Sequence, residues 1–275
     1  MPQRDNTATP RTTAGLVATV LLATGVAAGC GGDDDVATGK TNAVSVKGAE
    51  YAFLMPERVK GGVVTLRVSN TGRELHEYAI GKLKRGKTLT DFERELESGR
   101  EPGSAEGVAG IPGLSPGSEI TITRKLRPGN YFFLCAVPSP KGVPHYKLGM
   151  LKEFDVVGSS GAKLPEPDAT VSAGEKAMKV PALQAGEQTL ELKNAAGAPR
   201  EFELLELQPG STLKDVVAFF ERGRPDLKDS PATFLGAIQT IAPGDSVFLE
   251  VSLKAGGRYV FQDADNGLVK EFSVR

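Results

Sequence analysis

Alternation of apolar and polar positions is the clearest pattern in this chain. It is seen in Val64-Thr65-Leu66-Arg67-Val68-Ser69 and again in Ile120-Thr121-Ile122-Thr123. A period of two residues is typical of a strand with one buried face. Turn signals rich in glycine and proline separate such runs along the chain. The pattern therefore predicts a protein built mainly of short strands.

Two segments depart from this alternation and predict helices. Residues 88–99 and 212–223 each begin with Thr-x-x-Asp, a spacing that offers a capping box at a helix N-terminus. In the second segment, Leu213, Val216, Val217 and Phe220 recur at helical spacing. One helix is therefore expected on a connection in each half of the strand-rich region.

The two helical segments belong to an internal repeat. Gly62-Val63-Val64-Thr65-Leu66-Arg67-Val68-Ser69-Asn70 has the pattern of Gly186-Glu187-Gln188-Thr189-Leu190-Glu191-Leu192-Lys193-Asn194, and the copies close alike at residues 149–156 and 267–274. We expect domains at 43–157 and 168–275, joined by a Gly/Ser/Pro-rich linker at 158–167. Each copy is long enough to bury its own core. The predicted fold class is all-β, with two tandem Greek-key sandwiches of about seven strands, each with one inserted helix.

The N-terminus predicts export. Two arginines precede an apolar stretch at residues 14–28, which is short for a membrane span and closes on small residues before Cys30. This ending resembles a bacterial lipobox, which implies a signal peptide at 1–29, a lipid on Cys30 and a flexible tether at 30–42. An uncleaved anchor or a plainly secreted protein remains the alternative. A lipid on Cys30, an uncleaved anchor and plain secretion would each place the chain outside the cytoplasm. The lipid would also anchor it to a bacterial membrane on the extracytoplasmic side.

Charge composition excludes one class of partner. The chain has 33 Lys+Arg against 34 Asp+Glu, and removal of the signal peptide leaves 31 against 33. Nucleic-acid binding needs a basic face, which this balance does not favour.

The first repeat contains a set of side chains that could bind a metal ion. The chain contains only two histidines, His76 and His145, and Cys135 and Met150 complete a set of two imidazoles, a thiolate and a thioether. This is the ligand set of an electron-transfer copper site. Each residue alone could equally be a packed core residue. However, Cys135 has no cysteine partner once Cys30 carries a lipid, and a metal thiolate explains an unpaired cysteine in an oxidising compartment.

The first repeat resembles the cupredoxins, the blue copper proteins, over residues 43–157. The resemblance lies in an Asn-x-Gly turn before His76, followed by Cys135, His145 and Met150 in the order His, Cys, His, Met. It implies that His76, Cys135 and His145 form a trigonal set and that Met150 is the axial ligand. The interval between Cys135 and His145 is longer than in most blue copper proteins. Glu77 also stands where plastocyanins have an asparagine that ties the ligand loops together, so these loops must be tied differently here.

The second repeat resembles the same fold through Arg275 but has lost the ligands. Aligning the copies puts Arg200 opposite His76, Asp263 opposite Cys135 and Leu268 opposite Met150, while the segment that holds His145 is missing. One copper ion, in the first repeat, is therefore expected. Bracing the first repeat and presenting a docking surface both remain open as roles for the second.

Two functions of different class remain. The first is a one-electron carrier that exchanges electrons with an unidentified redox partner protein. The second is a copper-free cupredoxin-like lipoprotein that serves in binding or adhesion, and zinc is a minor alternative metal because methionine is a poor zinc ligand. We expect a protein that is not an enzyme, because no histidines are left for a further metal centre. We also expect His145 near the surface, with Val143 and Tyr146 in an apolar rim that faces the partner.

Overall fold

The computed structural model describes residues 42–99, 101–220, 230–263 and 265–275, with the side chains of Ala109 and Phe220 excepted. The predicted signal peptide, the lipidation site Cys30 and all but the last residue of the tether lie outside these ranges. In the described part of the chain, no helix is both long enough and apolar enough to cross a membrane.

The first repeat forms nine strands, one α-helix and one 3₁₀ helix within the described residues. They are β1 (Ala43–Ala49), β2 (Ala52–Leu54), β3 (Arg58–Lys60), β4 (Gly62–Asn70), β5 (His76–Leu83), α1 (Leu89–Glu97), β6 (Ala105–Leu114), β7 (Glu119–Leu126), β8 (Gly129–Leu134), the 3₁₀ helix His145–Leu148 and β9 (Leu151–Val157).

The second repeat forms eight strands and one α-helix within the same limits. They are β10 (Ala169–Ala173), β11 (Met178–Lys179), β12 (Gly186–Asn194), β13 (Arg200–Leu207), α2 (Leu213–Phe220), β14 (Ala232–Ile241), β15 (Ser246–Leu253), β16 (Arg258–Asp263) and β17 (Leu268–Ser273). Both repeats exceed the expected seven strands because short segments, β2, β3 and β11, pair at sheet edges.

Strand β4 shows why the alternation predicted the fold class correctly. Val64, Leu66 and Val68 are buried, whereas Arg67 between them is exposed. The strand pairs antiparallel with β7, where Ile120 and Ile122 are also buried. Burial of these alternate side chains on one sheet face supplies the hydrophobic stabilisation of the sandwich.

Both sheets run through the two repeats. One has the order β11-β10-β12-β15-β7-β4-β1-β2, and the other has the order β17-β16-β13-β14-β6-β5-β8-β9-β3. The repeats join where β15 pairs with β7, with Leu249 opposite Ile122, and where β14 meets β6 at Gln239 and Gly110. The largest apolar cluster contains side chains from both repeats. The core is therefore continuous across the two repeats.

The capping box predicted at the first helix is present. Thr88 Oγ1 accepts the N–H of Asp91 at 3.1 Å, and the Asp91 carboxylate accepts the N–H of Thr88 at 3.0 Å. Helix α1 then packs Phe92 against Phe132 of β8, with ring centroids 4.4 Å apart. The helix thus supports the strand that ends next to Cys135.

Candidate metal centre

Two neighbouring strands bring His76 and Cys135 to one end of the sandwich. His76 is the first residue of β5, and Cys135 directly follows the last residue of β8. The strands pair antiparallel with Ala79 opposite Leu134, so the start of β5 lies beside the end of β8. Both side chains are fully buried, with exposed fractions of 0%.

A folded-back loop brings His145 and Met150 to the same place. The N–H of His145 donates to Val137 O at 2.9 Å, and the N–H of Cys135 donates to Met150 O at 3.1 Å. The N–H of Met150 in turn donates to His145 O at 3.0 Å. These backbone bonds fix the long Cys135–His145 interval, and the side chains of His145 and Met150 are fully buried as well.

Three donor atoms converge in the first repeat. The Nδ1 atoms of His76 and His145 are 3.1 Å apart, and Cys135 Sγ lies 3.4 Å from His145 Nδ1. All three donor atoms lie within 4.8 Å of one another. Met150 has its side chain in the same apolar cluster as Cys135. The structure thus brings the side chains of His76, Cys135 and His145 together, and the backbone of Met150 lies beside Cys135.

The donor set fits a metal ion of the soft transition type. Metal–nitrogen bonds of about 2.0 Å and metal–sulfur bonds of about 2.3 Å place such donors roughly 3 to 4 Å apart, which matches the separations of 3.1 and 3.4 Å from His145 Nδ1 to His76 Nδ1 and Cys135 Sγ. In the described residues, His76 Nε2 is buried without a hydrogen-bond partner. When both imidazoles carry their protons on Nε2, the two facing Nδ1 atoms are both acceptors and no hydrogen bond can join them, whereas one cation satisfies both. Thiolate and imidazole donors with a nearby thioether are ligands that suit copper.

Burial tunes the protonation of the donors. It raises the pKa of the Cys135 thiol to about 12. It also lowers the pKa of His76 to about 4, an effect that the neighbouring His145 reinforces. Burial likewise lowers the pKa of His145, against the opposing influence of Glu74. At neutral pH the metal-free site therefore offers two neutral imidazoles and a thiol that must release its proton to bind a metal.

Glu77 ties the two ligand strands together. Its backbone N–H donates to Cys135 Sγ at 3.2 Å, and its carboxylate accepts the N–H of Ala136 at 3.0 Å. Burial raises the pKa of this carboxyl to about 7. Glu77, which stands where plastocyanins have an asparagine, thus links β5 to the segment at Cys135 and Ala136 through its backbone and its carboxylate. This is the different tie between the ligand segments that the sequence predicted.

Three residues that the sequence analysis missed cover the outer edges of the imidazoles. Glu74 accepts a hydrogen bond from His145 Nε2 at 2.9 Å, and Glu50 Oε1 lies 3.6 Å from His76 Nε2. The Tyr51 ring packs against the His145 ring, with centroids 4.8 Å apart. Glu74 could have been predicted, because it lies two residues before His76 in the sequence. Glu50 and Tyr51 lie in the distant β1–β2 turn, and no sequence signal connects them with the site.

The expectation that His145 lies near the surface is wrong. Its exposed fraction is 0%, because Glu74 and Tyr51 cover its outer edge. Tyr146 is only 5% exposed, since it packs into an apolar cluster with Phe92 of α1 and Phe132 of β8. His145 and Tyr146 therefore pack the loop against the sandwich, whereas Val143 is only partly buried and Leu148 is exposed. A partner-facing rim that includes Tyr146 is thus not formed.

The matching place in the second repeat holds a buried ion pair. Arg200 begins β13 and Asp263 ends β16, and Arg200 Nε lies 3.8 Å from Asp263 Oδ2. The strands pair with Glu203 opposite Gln262, which corresponds to the pair Ala79 and Leu134 in the first repeat. The alignment of Arg200 with His76 and of Asp263 with Cys135 therefore agrees with the strand register.

Comparisons with known proteins found similar solved structures, each with a low TM-score. No protein-family model and no curated protein matches the sequence. A reduced auracyanin from the photosynthetic bacterium Roseiflexus castenholzii is 25% identical over 43% of this chain and 99% of its own, with a TM-score of 0.31. A multicopper oxidase is 13% identical over 85% of this chain and 88% of its own, with a TM-score of 0.25. A copper nitrite reductase from Nitrosomonas europaea is 11% identical over 85% of this chain and 93% of its own, with a TM-score of 0.25. The chain is cupredoxin-like in fold, and the chemistry of its site is argued from its own residues.

The expectation that the protein is not an enzyme requires correction. Structures similar to this chain include a multicopper oxidase and copper nitrite reductases. A count of histidines limits the metal centres that one chain can build from its own imidazoles. It does not decide whether a chain of this fold takes part in catalysis.

Proposed function

We propose that the protein is an exported, membrane-anchored copper protein that transfers single electrons. His76, Cys135 and His145 would hold one copper ion, with Met150 as a further, weak ligand. The observation that carries the proposal is the convergence of two Nδ1 atoms and one Sγ in a fully buried place, with separations of 3.1 and 3.4 Å. Copper held there would supply one-electron chemistry between Cu(I) and Cu(II).

The contribution of the chain is a rigid and dry ligand frame. The ligand side chains are fully buried, and backbone bonds between Cys135, Met150 and His145 hold the loop to the strand end. The N–H of Glu77 stabilises negative charge on Cys135 Sγ. A frame fixed in this way allows little rearrangement when one electron arrives from a donor and one leaves to an acceptor.

The second repeat braces the first in this proposal. The contacts of β15 with β7 and of β14 with β6 make its strands part of the sheets that carry the site. The buried pair Arg200 and Asp263 offers no soft ligand, so this repeat adds no copper site.

Copper titration tests the metal centre. In a Cys30→Ser chain, Cys135 is the only cysteine, so any intense copper–thiolate band in the visible range must arise from it. We expect one copper per chain, and release of one proton per copper at pH 7.5, because the Cys135 thiol is protonated in the metal-free protein. Cys135→Ser should abolish the band while the far-ultraviolet circular dichroism spectrum is kept. Uptake of two copper ions, or a band that survives the loss of Cys135, would contradict the proposal.

The anchor is tested separately. Cys30 lies outside the described residues, and the proposal for it rests on the lipobox resemblance. Labelled fatty acid should be incorporated into the wild-type chain and not into Cys30→Ser, which should move from the membrane fraction to the soluble fraction. Equal labelling of both chains would show that Cys30 is not the lipid acceptor.

A further inference from the structure

The outer nitrogens of both imidazoles face carboxylates. His145 Nε2 lies 2.9 Å from Glu74 Oε2, and His76 Nε2 lies 3.6 Å from Glu50 Oε1. The two glutamates are only partly exposed, at 26% and 21%. An ionised carboxylate can only accept hydrogen bonds, so His145 must carry its proton on Nε2 to bond Glu74. The Nδ1 lone pair then faces Cys135 and His76.

Building on the proposed function, we propose that Glu74 is a positioning residue for the metal centre. It fixes the tautomer and the ring orientation of His145 before a metal arrives, so that Nδ1 is presented as a ligand. A carboxylate behind a ligating imidazole also makes that imidazole a stronger electron donor. This favours Cu(II) over Cu(I) and lowers the reduction potential of the site.

The β1–β2 turn holds Glu74 in this role. Glu50 Oε1 accepts the backbone N–H of Glu74 at 2.9 Å and also that of Arg73. Tyr51 OH donates to Glu74 Oε1 at 3.1 Å, so the two carboxylate oxygens of Glu74 have separate partners. The ring of Tyr51 packs on the His145 imidazole. One oxygen of the Glu74 carboxylate is therefore held by Tyr51 and the other by His145.

Glu50 is itself held in place by this arrangement, since its Oε1 accepts two backbone N–H groups. Gly72 makes the close approach possible, since a Cβ at this position would lie 2.7 Å from His76 Nε2 and would also clash with Glu50 Oε1. The turn thus brings two carboxylates next to the His76 and His145 rings without covering their Nδ1 atoms.

The first experiment needs no copper. The chain has two histidines, so the ¹⁵N signals of the imidazoles can be assigned by removing one ring at a time. In the metal-free wild-type protein we expect His145 to carry its proton on Nε2. Glu74→Ala should shift His145 toward the Nδ1–H form or a mixture. An unchanged tautomer in Glu74→Ala overturns the proposal, whether or not the protein binds copper.

The second experiment measures the metal. Loss of an outer carboxylate partner lowers metal affinity by roughly 10- to 100-fold, and we expect a Cu(II) affinity loss of this size in Glu74→Ala. The Cu(I) affinity should fall much less. A tenfold change in the ratio of the two affinities corresponds to a rise of about 59 mV in the one-electron potential.

Two further variants separate positioning from packing and charge. Tyr51→Phe keeps the ring on His145 and removes only the hydrogen bond to Glu74, so it should raise the potential in the same direction by a smaller amount. Glu57→Gln removes a carboxylate that is 75% exposed and paired with Lys152, and it should leave tautomer and potential unchanged. Equal potentials in wild type, Glu74→Ala and Tyr51→Phe, or an equal shift in Glu57→Gln, would overturn the positioning role. Absence of a copper–thiolate band in the wild type would instead count against the proposed function.

Discussion

Asn70 and Asn194 offer a matched test of how the fold builds the metal centre. In the first repeat, Asn70 Nδ2 donates to Glu74 O at 2.8 Å and to Leu114 O at 2.7 Å, and Asn70 Oδ1 accepts the N–H of Gly72 at 2.9 Å. In the second repeat, Asn194 makes the same three kinds of bond with the equivalent turn. Both side chains are buried, but only the turn after Asn70 leads into a ligand.

Asn70→Ala and Asn194→Ala should destabilise the protein equally. Each substitution removes the three hydrogen bonds of a buried side chain, and a net value of about 1 kcal/mol per bond gives a loss of about 3 kcal/mol. Urea unfolding of the metal-free protein, followed by far-ultraviolet circular dichroism because the chain has no tryptophan, measures this loss.

Copper affinity should separate the two variants. Asn70→Ala frees the turn that carries Glu74 and leads into His76, so we expect Cu(II) affinity to fall by about tenfold or more, as for other losses of support around a ligand. Asn194→Ala should bind copper like wild type under native conditions, where both proteins are folded. The reasoning is refuted if the two variants lose copper affinity alike, or if neither loses more than about 1 kcal/mol of stability.

Three further outcomes follow from the geometry of the two repeats. Arg200→Met should cost about 3 to 5 kcal/mol in urea unfolding, because it leaves Asp263 buried without its cation, and adding Asp263→Asn should recover part of the loss. Gly72→Ala should displace His76 and shift the visible copper band, whereas Gly103→Ala, which meets open space, should leave the band unchanged. The contribution of His76 to the stability of the metal-free protein, taken as the difference between wild type and His76→Gln, should fall by about 3 kcal/mol as the pH falls from 6.5 to 4, because the unfolded state binds a proton that folded His76, with a pKa of about 4, does not. A stability profile that stays unchanged in His76→Gln would contradict this assignment.

Local patterns in the sequence predicted the elements of this protein. Alternating side chains identified β4 and β7, because each strand buries every second residue on one face. The Thr88 capping box identified the start of α1, because its hydrogen bonds join residues three apart in the chain. The rare side chains of the chain indicated which residues could be ligands, and the fold brings three of them, His76, Cys135 and His145, together. The role of Met150 as a ligand stays a prediction.

Contacts between distant segments escaped prediction. Glu50 and Tyr51 reach the site from a turn that lies before the first ligand, and no spacing in the chain signals that a carboxylate or a ring will meet an imidazole there. The burial of His145 was predicted wrongly for the same reason, since the loop alone offers an exposed tip and only the covering residues enclose it. The expectation of a protein that is not an enzyme was also wrong, because a residue count was taken as evidence about activity.

The sequence by itself determined the strand-rich repeats, the helix on each connection and the identity of the four candidate ligands, because these depend on periodicity and on rare side chains. Tertiary structure alone decided that both sheets continue from one repeat into the other through β15 with β7 and β14 with β6. It also decided which atoms of the imidazoles face inward, with Nδ1 toward the donor cluster and Nε2 toward Glu50 and Glu74. Ring orientation is set by packing and hydrogen bonds from segments far apart in the chain, and such contacts leave no periodic trace in the order of residues.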